Sequence, residues 1–201
     1  PIYNGGDLPE TPVAYVEAYN GYAIAGLEVS RRAGQNSREY LMGEFSEPLQ
    51  VGKRYEFSFA IANGDVYKHS TAGLGVSDLG IVFSTSEVEQ QLREPISLHP
   101  QISMTQIQYY QGWEIVKFAF TASDNYEFFT FGLFGDDKGK EIESFEGAGR
   151  TIAYYFVDDF SIRDLTYELN DNNSESRGDI NNLFNLERST FVPTAFTPNN
   201  D

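Results

Sequence analysis

The chain contains no cysteine and only two histidines, and both scarcities restrict its chemistry. Without cysteine, disulfide bonds, thiolate metal sites and thiol catalysis are excluded. His69 and His99 fall in separate predicted loops with no evident partner, so neither a zinc site nor a histidine-dependent nucleophile is expected. We therefore assign no catalytic residue and do not expect an enzyme.

Positive charge is also scarce, with 14 Lys and Arg residues against 30 Asp and Glu and a net charge of −16. This balance argues against nucleic acid or an anionic membrane as a partner and suits a secreted or surface protein that meets divalent cations. No run approaches the ~20 apolar residues that span a bilayer, so direct membrane insertion is not expected. No signal peptide is recognisable, and we interpret the start at Pro1 as that of a mature or trimmed chain.

Long helical patterns are missing, whereas aromatic residues are frequent, with 16 Phe and 13 Tyr that favour strands. Residues 51–63 (VGKRYEFSFAIAN) alternate most regularly between apolar and polar, which predicts a central strand. Residues 128–134 (FFTFGLF) are so apolar that both faces of this strand should be covered. About eight or nine short antiparallel strands predict an all-β jelly-roll sandwich with an extended C-terminal tail.

The composition changes after Leu165, which divides the chain into three parts. Residues 1–165 form the predicted sandwich. Residues 166–190 are polar and rich in Asn and Ser, and they predict a linker that is mostly unpacked. Residues 191–201 (FVPTAFTPNND) form a separate final segment.

Residues 151–163 (TIAYYFVDDFSIR) predict a strand with two adjacent acids. Strict alternation places Asp158 on one face with four apolar residues: Tyr154, Phe156, Phe160 and Ile162. The opposite, less apolar face would carry Asp159 and three others: Tyr155, Val157 and Ser161. Because a buried unpaired carboxylate is too costly, Asp158 must accept hydrogen bonds, pair with a cation, take up a proton or bind a metal. Capping of loop amides at the end of the sheet and a structural calcium ion are the two leading interpretations.

A second group of acids lies in the charged, glycine-rich segment 135–150, predicted as a loop: Asp136, Asp137, Glu141, Glu143 and Glu146. A solvated acidic loop is the simplest interpretation, and a second calcium ion at Asp136 and Asp137 is the alternative. Paired carboxylates for glycoside cleavage would need rigid opposing placement, which a mobile loop does not provide.

Four aromatic residues are candidates for ligand contact: Tyr67, Tyr109, Tyr110 and Trp113. A tyrosine ring offers a flat apolar face with a polar tip, which suits a sugar or protein contact. The alternative for each tyrosine is a loop aromatic that shields the core from solvent. Trp113 stands at the start of a strand, where it could stack on a sugar or fold back onto the edge of the core.

The final eleven residues resemble the opening of the gliding-motility-associated C-terminal domain of Bacteroidetes surface proteins. Two positions, Thr194 and Asn200, depart from that pattern, and the matching residues are Val192, Pro193, Ala195, Phe196, Thr197, Pro198 and Asn199. These domains serve as type IX secretion signals. The resemblance therefore implies that residues 191–201 are the first strand of a truncated secretion domain, recognised by the type IX machinery, and that the protein is extracellular or displayed at the outer-membrane surface.

The body resembles carbohydrate-binding and galactose-binding-like jelly rolls in five successive segments: GYAIAGLEV, REYLMGEFSEPLQVGKRYEFSFAI, LGIVFST, GWEIVKFAFTA and YYFVDDFSI. In many such sandwiches an acid of the last strand helps to hold a structural calcium ion. The resemblance implies that Asp158 matches this position best and Asp159 second. The usual first strand, with its asparagine and glutamate, is not recognisable before these segments.

These observations together predict a non-catalytic surface or secreted binding or adhesion module, with a glycan as the expected ligand and a surface protein as the other option. A structural spacer or filament subunit that self-assembles is the first alternative. An accessory domain of a polysaccharide-acting enzyme is the second.

Overall fold

The computed structural model describes residues 8–32, 36–66, 71–166 and 189–190. These ranges contain eleven β-strands and no helix. The strands form two four-stranded antiparallel sheets that face each other, together with a short separate pair and one added strand. The predicted all-β sandwich is confirmed. None of the described residues belongs to a helix long and apolar enough to cross a membrane.

The first sheet has the strand order β1-β10-β3-β7. Its strands are β1 (Ala25–Arg31), β10 (Ile152–Asp164), β3 (Arg54–Ala62) and β7 (Glu114–Thr121). Strand β3 pairs with β7 on one side and with β10 on the other, so its predicted central position is confirmed. The alternation of apolar and polar residues along β3 explains this position, because one face of the strand supplies four buried core residues: Tyr55, Phe57, Phe59 and Ile61.

The second sheet has the order β2-β8-β5-β6. Its strands are β2 (Leu41–Glu44), β8 (Phe128–Leu133), β5 (Leu79–Ser84) and β6 (Ile102–Met104). As predicted, both faces of β8 are covered. One face joins the core, and on the other the ring of Tyr40 lies 2.4 Å from where a Cβ on Gly132 would stand, so a glycine is required there.

The order of the strands is that of a jelly roll. Strands β1, β2 and β3 alternate between the two sheets, and late strands close each sheet, with β10 between β1 and β3 and β8 between β2 and β5. Between the sheets, Phe57 packs against Phe129 at 5.0 Å and Phe83 at 5.5 Å between ring centroids. Aromatic rings from both layers therefore fill the core.

A short third pair joins β4 (Leu74–Val76) to β9 (Ile142–Ser144). Strand β9 lies within residues 135–150, so the prediction of a continuous loop there is wrong. The reason is tertiary: Ile142 packs against the core and its strand pairs with β4, although the flanking residues are charged.

The alternation predicted for residues 151–163 fails at a β-bulge. Asp158 pairs with Ala60 and Ser161 with Ser58, so β10 carries one residue more than β3 between these pairs. Asp159 occupies the left-handed region with φ of 50°. The bulge moves every later side chain of β10 to the other face.

The bulge corrects the predicted faces of β10. The residues that pack in the main core come from both sides of the bulge: Tyr155, Val157, Phe160 and Ile162. Asp158 and Phe160 therefore lie on opposite faces of the first sheet. Asp158 lies half-buried on the outer face of the first sheet, the face on which Phe156 packs against the N-terminal segment.

Beyond β10, the described residues after Thr166 are those of β11 (Ser189–Thr190), which pairs with Ser161 and Ile162 of β10. Strand β1 covers the same edge of β10 only as far as Val157. The end of the predicted linker thus continues the sheet. The remainder of the linker and the match at residues 191–201 lie outside the described residues.

Candidate ligand-binding surface

Residues 8–24 lie across the outer face of the first sheet and build a second apolar cluster there. Val16 and Ala14 are buried in it, whereas the intervening Tyr15 is exposed because the segment is extended. Residues 105–113, between β6 and β7, approach the same region. Backbone hydrogen bonds fix them, with Gln108 N–H donating to Val76 O at 2.9 Å.

Tyr109 and Tyr110 point to different surroundings. Tyr110 packs against the main core, and its backbone N–H donates to Asn63 Oδ1 at 2.7 Å. Tyr110 therefore fits the shielding role rather than direct ligand contact. Tyr67, the third candidate tyrosine, lies outside the described residues.

Tyr109 stacks on Phe145, with ring centroids 4.6 Å apart and an interplanar angle of 3°. The Tyr109 hydroxyl donates to Glu146 Oε1 at 3.1 Å, which holds the ring in place. Phe145 is 47% exposed, so this pair presents an aromatic surface to solvent. Desolvation by burial, followed by the charge of Glu146, raises the pKa of Tyr109 well above its ordinary value. We call Tyr109 and Phe145 the first platform.

Trp113 forms a second platform with Tyr19. Their ring centroids are 5.9 Å apart at an angle of 61°, and Trp113 Nε1 donates to Glu17 O at 2.9 Å. Trp113 packs partly on the N-terminal cluster, and Tyr19 is 39% exposed. Trp113 is therefore partly buried at the edge of the N-terminal cluster, and it also contacts the exposed ring of Tyr19.

The two platforms are connected by a short stretch of chain, because Tyr109 and Trp113 both belong to residues 105–113. Tyr15 and Asp65 exchange backbone hydrogen bonds of 2.8 and 2.9 Å, and the charge of Asp65 is the smallest of the causes that raise the pKa of Tyr109. The Tyr15 hydroxyl donates to Glu17 Oε1 at 3.3 Å, and the carbonyl of Glu17 binds the second platform. Three residues lie between Tyr109 and Trp113 in the chain, which limits their Cα distance to about 14 Å.

Asp158 accepts two backbone hydrogen bonds. Its Oδ2 accepts from Asn20 N–H at 3.0 Å and its Oδ1 from Asp159 N–H at 2.7 Å. Asp158 therefore caps loop amides, although at a bulge within β10 rather than at the end of the sheet. Among the described residues no group of three or more His, Asp and Glu side chains is arranged to hold a metal. Calcium at Asp158 and Asp159 stays a prediction.

The acids of residues 136–146 have individual roles. Asp137 Oδ1 accepts from Arg38 Nη2 at 2.6 Å, and the Arg38 side chain is fully buried. Arg38 also donates to the carbonyl of Leu133, at 3.2 Å. Asp136 is exposed and accepts from Lys138 N–H at 3.1 Å, and calcium at Asp136 and Asp137 stays a prediction. Ion pairing and capping account for these two acids without a shared ion.

His99 is exposed and lines an open cavity of about 670 Å³. The same cavity is lined by Asp78, Asp136 and Lys140, and by the rigid rings of Pro95 and Pro100. His69 lies outside the described residues.

Three residues of structural importance were missed at the level of sequence: Tyr19, Arg38 and Phe145. Phe145 is the only aromatic residue in the acidic segment 135–150, which could have singled it out. Nothing local distinguishes Tyr19 or Arg38, because the partners that define their roles are distant in the chain.

No protein-family model and no curated protein matches the chain. Two solved structures are similar to it. The carbohydrate-binding module of PbXyn10C in its apo form has 13% identity and a TM-score of 0.36, over 72% of this chain and 70% of that one. The CBM22-1 and GH10 modules of Clostridium thermocellum xylanase 10B with xylohexaose have 15% identity and a TM-score of 0.39, over 83% of this chain and 25% of that one. At these scores we draw neither ligand nor activity from the likeness.

Proposed function

We propose that this chain is a non-catalytic binding module that takes a glycan on the surface formed by its two aromatic platforms. The observation that carries the proposal is the ordered, half-exposed stack of Tyr109 on Phe145, anchored through Glu146. A pyranose ring has an apolar face of C–H groups, which packs on a flat aromatic ring, and hydroxyl groups at its rim, which donate to carboxylates and carbonyls.

The second platform supports the same function. Tyr19 and Trp113 add aromatic surface, with Trp113 four positions after Tyr109 in the chain, and the exposed Glu17 provides an acceptor beside Trp113. A site for a folded protein partner would instead need a broad interface of roughly 800 Å² on each partner. The narrow aromatic surface fits a sugar chain better.

Binding to immobilised and soluble polysaccharides tests this proposal. Phe145→Ala and Tyr19→Ala should each weaken glycan binding roughly fivefold, because each removes an aromatic contact of about 1 kcal/mol. Leu92→Ala is the matched control, since Leu92 is 84% exposed and lies in the segment beside the other sheet. Equal binding by all three variants would refute the assignment of the surface.

Export by type IX secretion is the second part of the proposal. It is supported by the resemblance of residues 191–201 to the start of a secretion domain and by the acidic composition. In the native host, deletion of the chain from residue 191 onward should leave the protein inside the cell. Unchanged appearance at the cell surface or in the medium would contradict this route.

The pairing of β11 with β10 favours one alternative, a spacer or filament subunit, because it shows that the edge of the first sheet accepts an additional strand. In such an assembly a strand from another copy would occupy the same edge. In a sedimentation experiment, a filament subunit would show an apparent mass that increases with protein concentration. A binding module that does not self-assemble should show the same mass at every concentration.

A further inference from the structure

The second platform is carried in part by a turn, residues 17–23, that packing alone does not hold. None of these residues is buried. Among the described residues, two hydrogen bonds join the turn to the domain outside the N-terminal segment. Asn20 N–H donates to Asp158 Oδ2 at 3.0 Å, and Trp113 Nε1 donates to Glu17 O at 2.9 Å. The position of the platform tyrosine on this turn therefore depends on two polar anchors.

The two anchors stand on either side of the central strand β3. Asp158 of β10 pairs with Ala60 of β3, and Ile115 of β7 pairs with the same Ala60 from the other side. Trp113 immediately precedes β7 and packs on the apolar cluster of the outer face. Because adjacent strands are about 4.8 Å apart, β10 and β7 lie about 10 Å from each other. The turn therefore crosses the outer face above β3 and is fastened on both sides of that strand.

The bulge in β10 orients the carboxylate of Asp158 towards the turn. Its Oδ1 accepts from Asp159 N–H at 2.7 Å, whereas Oδ2 accepts from Asn20. A carboxylate makes stronger hydrogen bonds to backbone amides than a neutral acceptor does. The nitrogen of Asn20 belongs to the peptide bond that follows Tyr19, whose ring centroid lies 5.9 Å from that of Trp113. The carboxylate therefore restrains the backbone from which the platform ring projects.

We infer that Asp158 is a positioning residue of the glycan-binding surface, which acts on the ligand only through the second platform. Its bond to Asn20 sets the place of Tyr19 against the indole of Trp113. The inference rests on the proposed glycan-binding function and adds to it a residue that determines affinity from beneath the surface.

Binding to xylan, glucomannan and hydroxyethyl cellulose tests the inference, with chelator present so that no calcium ion contributes. Asp158→Ala should weaken binding roughly two- to fivefold, the upper value being that expected for Tyr19→Ala. Asp158→Asn keeps an oxygen that can accept from Asn20, so its affinity should lie closer to that of the wild type. Equal affinity of Asp158→Ala and the wild type would overturn the inference and leave glycan binding intact. Failure of the wild type to bind any of the three would overturn the proposed function as well.

Tyr40→Phe is the matched control for lost stability. The Tyr40 hydroxyl donates to Leu133 O and accepts from Ile96 N–H at the second sheet, so this variant also removes two hydrogen bonds of one side chain. Its glycan affinity should equal that of the wild type. An equal loss of affinity in Tyr40→Phe and Asp158→Ala would show that general stability is the cause and would overturn the positioning role.

A double variant tests whether Asp158 acts through Tyr19. Tyr19→Ala combined with Asp158→Ala should bind as tightly as Tyr19→Ala alone, because the ring that Asp158 positions is already absent. If the two losses multiply instead, Asp158 contributes by another route and the inference is wrong.

Trp113 provides a measurement that needs no ligand, because it is the only tryptophan of the chain. In the free protein, Asp158→Ala should make Trp113 fluorescence more accessible to quenching by acrylamide, since the ring of Tyr19 would no longer be held against the indole. Tyr40→Phe should leave the quenching unchanged. Identical quenching of Asp158→Ala and the wild type would contradict the proposed action of Asp158 on the platform.

Discussion

Asp158 shows at the scale of one residue how a carboxylate can be stabilised by backbone amides. Its oxygens accept from Asn20 and Asp159, which attach the N-terminal segment to the first sheet. Arg38 is the reverse case, a buried cation held by carbonyl groups and by Asp137. In both cases the distant partner determines the role, so the residue type alone could not reveal it.

Asp158→Ala should lower the free energy of unfolding by about 1 kcal/mol, since two amide hydrogen bonds lose their acceptor. Asp158→Asn should recover part of this loss, because its amide oxygen still accepts. Urea unfolding in chelator measures this loss of amide capping alone, and if the predicted calcium ion is bound at Asp158, the decrement should be larger in calcium than in chelator. Equal decrements in calcium and in chelator would contradict the calcium prediction, and no decrement in chelator would contradict the capping role.

Tyr40 gives a pH dependence. Its hydroxyl donates to Leu133 O at 2.8 Å and accepts from Ile96 N–H at 2.9 Å, and burial raises the pKa of Tyr40 to about 12. An unfolded tyrosine ionises near pH 10, so the contribution of Tyr40 is complete below about pH 10 and is lost as the pH rises towards 12.

This loss should amount to roughly 2–3 kcal/mol for a shift of this size. In Tyr40→Phe, the free energy of unfolding should decline less steeply between pH 10 and 12. The difference in slope should correspond to the ionisation of about one group, and urea unfolding at several pH values measures it. Burial also raises the pKa of Tyr154 to about 12, so some decline should persist in the variant. Equal slopes would contradict the assignment to Tyr40.

At the scale of elements, periodicity predicted the long strands and failed where the backbone departs from it. The regular alternation of β3 and the apolar run of β8 each identify a strand, because burial decides both. The bulge at Asp158 and Asp159 inserts one residue and reverses the later faces of β10. No local signal announces this, since an aspartate with positive φ is tolerated but not required.

The bulge can be tested by substitution at Asp159, whose φ of 50° is strained for a residue with a Cβ. Asp159→Gly should raise stability, by up to about 1 kcal/mol, because glycine adopts this conformation without strain. Asp159→Val should lower stability by more than that, since β-branched residues are strongly disfavoured there. Thermal melting distinguishes the two, and equal melting temperatures would contradict the bulge.

Short elements and surface aromatics were the least predictable. Strand β9 is formed by three residues in an acidic segment, and its pairing with β4 places Phe145 next to Tyr109. Of the four predicted ligand-contact residues, Tyr109 and Trp113 lie on the platforms and Tyr110 packs against the core. The platform partners Phe145 and Tyr19 emerge only from the fold.

At the scale of the whole molecule, the jelly roll provides a rigid aromatic core and leaves its chemistry to segments that cross the outer face and edges of the sheets. The N-terminal segment, residues 105–113 and the β9 region meet at one surface, although they are far apart in sequence. Fold and surface therefore have different determinants. The fold follows from the alternation of apolar and polar residues along the strands. The surface depends on which distant segments the topology brings together.

Trp113 offers the most direct measurement of the central claim, because it is the only tryptophan of the chain and belongs to the second platform. Titration with a polysaccharide that binds should shift or quench its fluorescence in a saturable manner. The change should persist in Leu92→Ala and require roughly fivefold more ligand in Phe145→Ala. Fluorescence that stays constant while the ligand binds would place the glycan elsewhere and contradict the account.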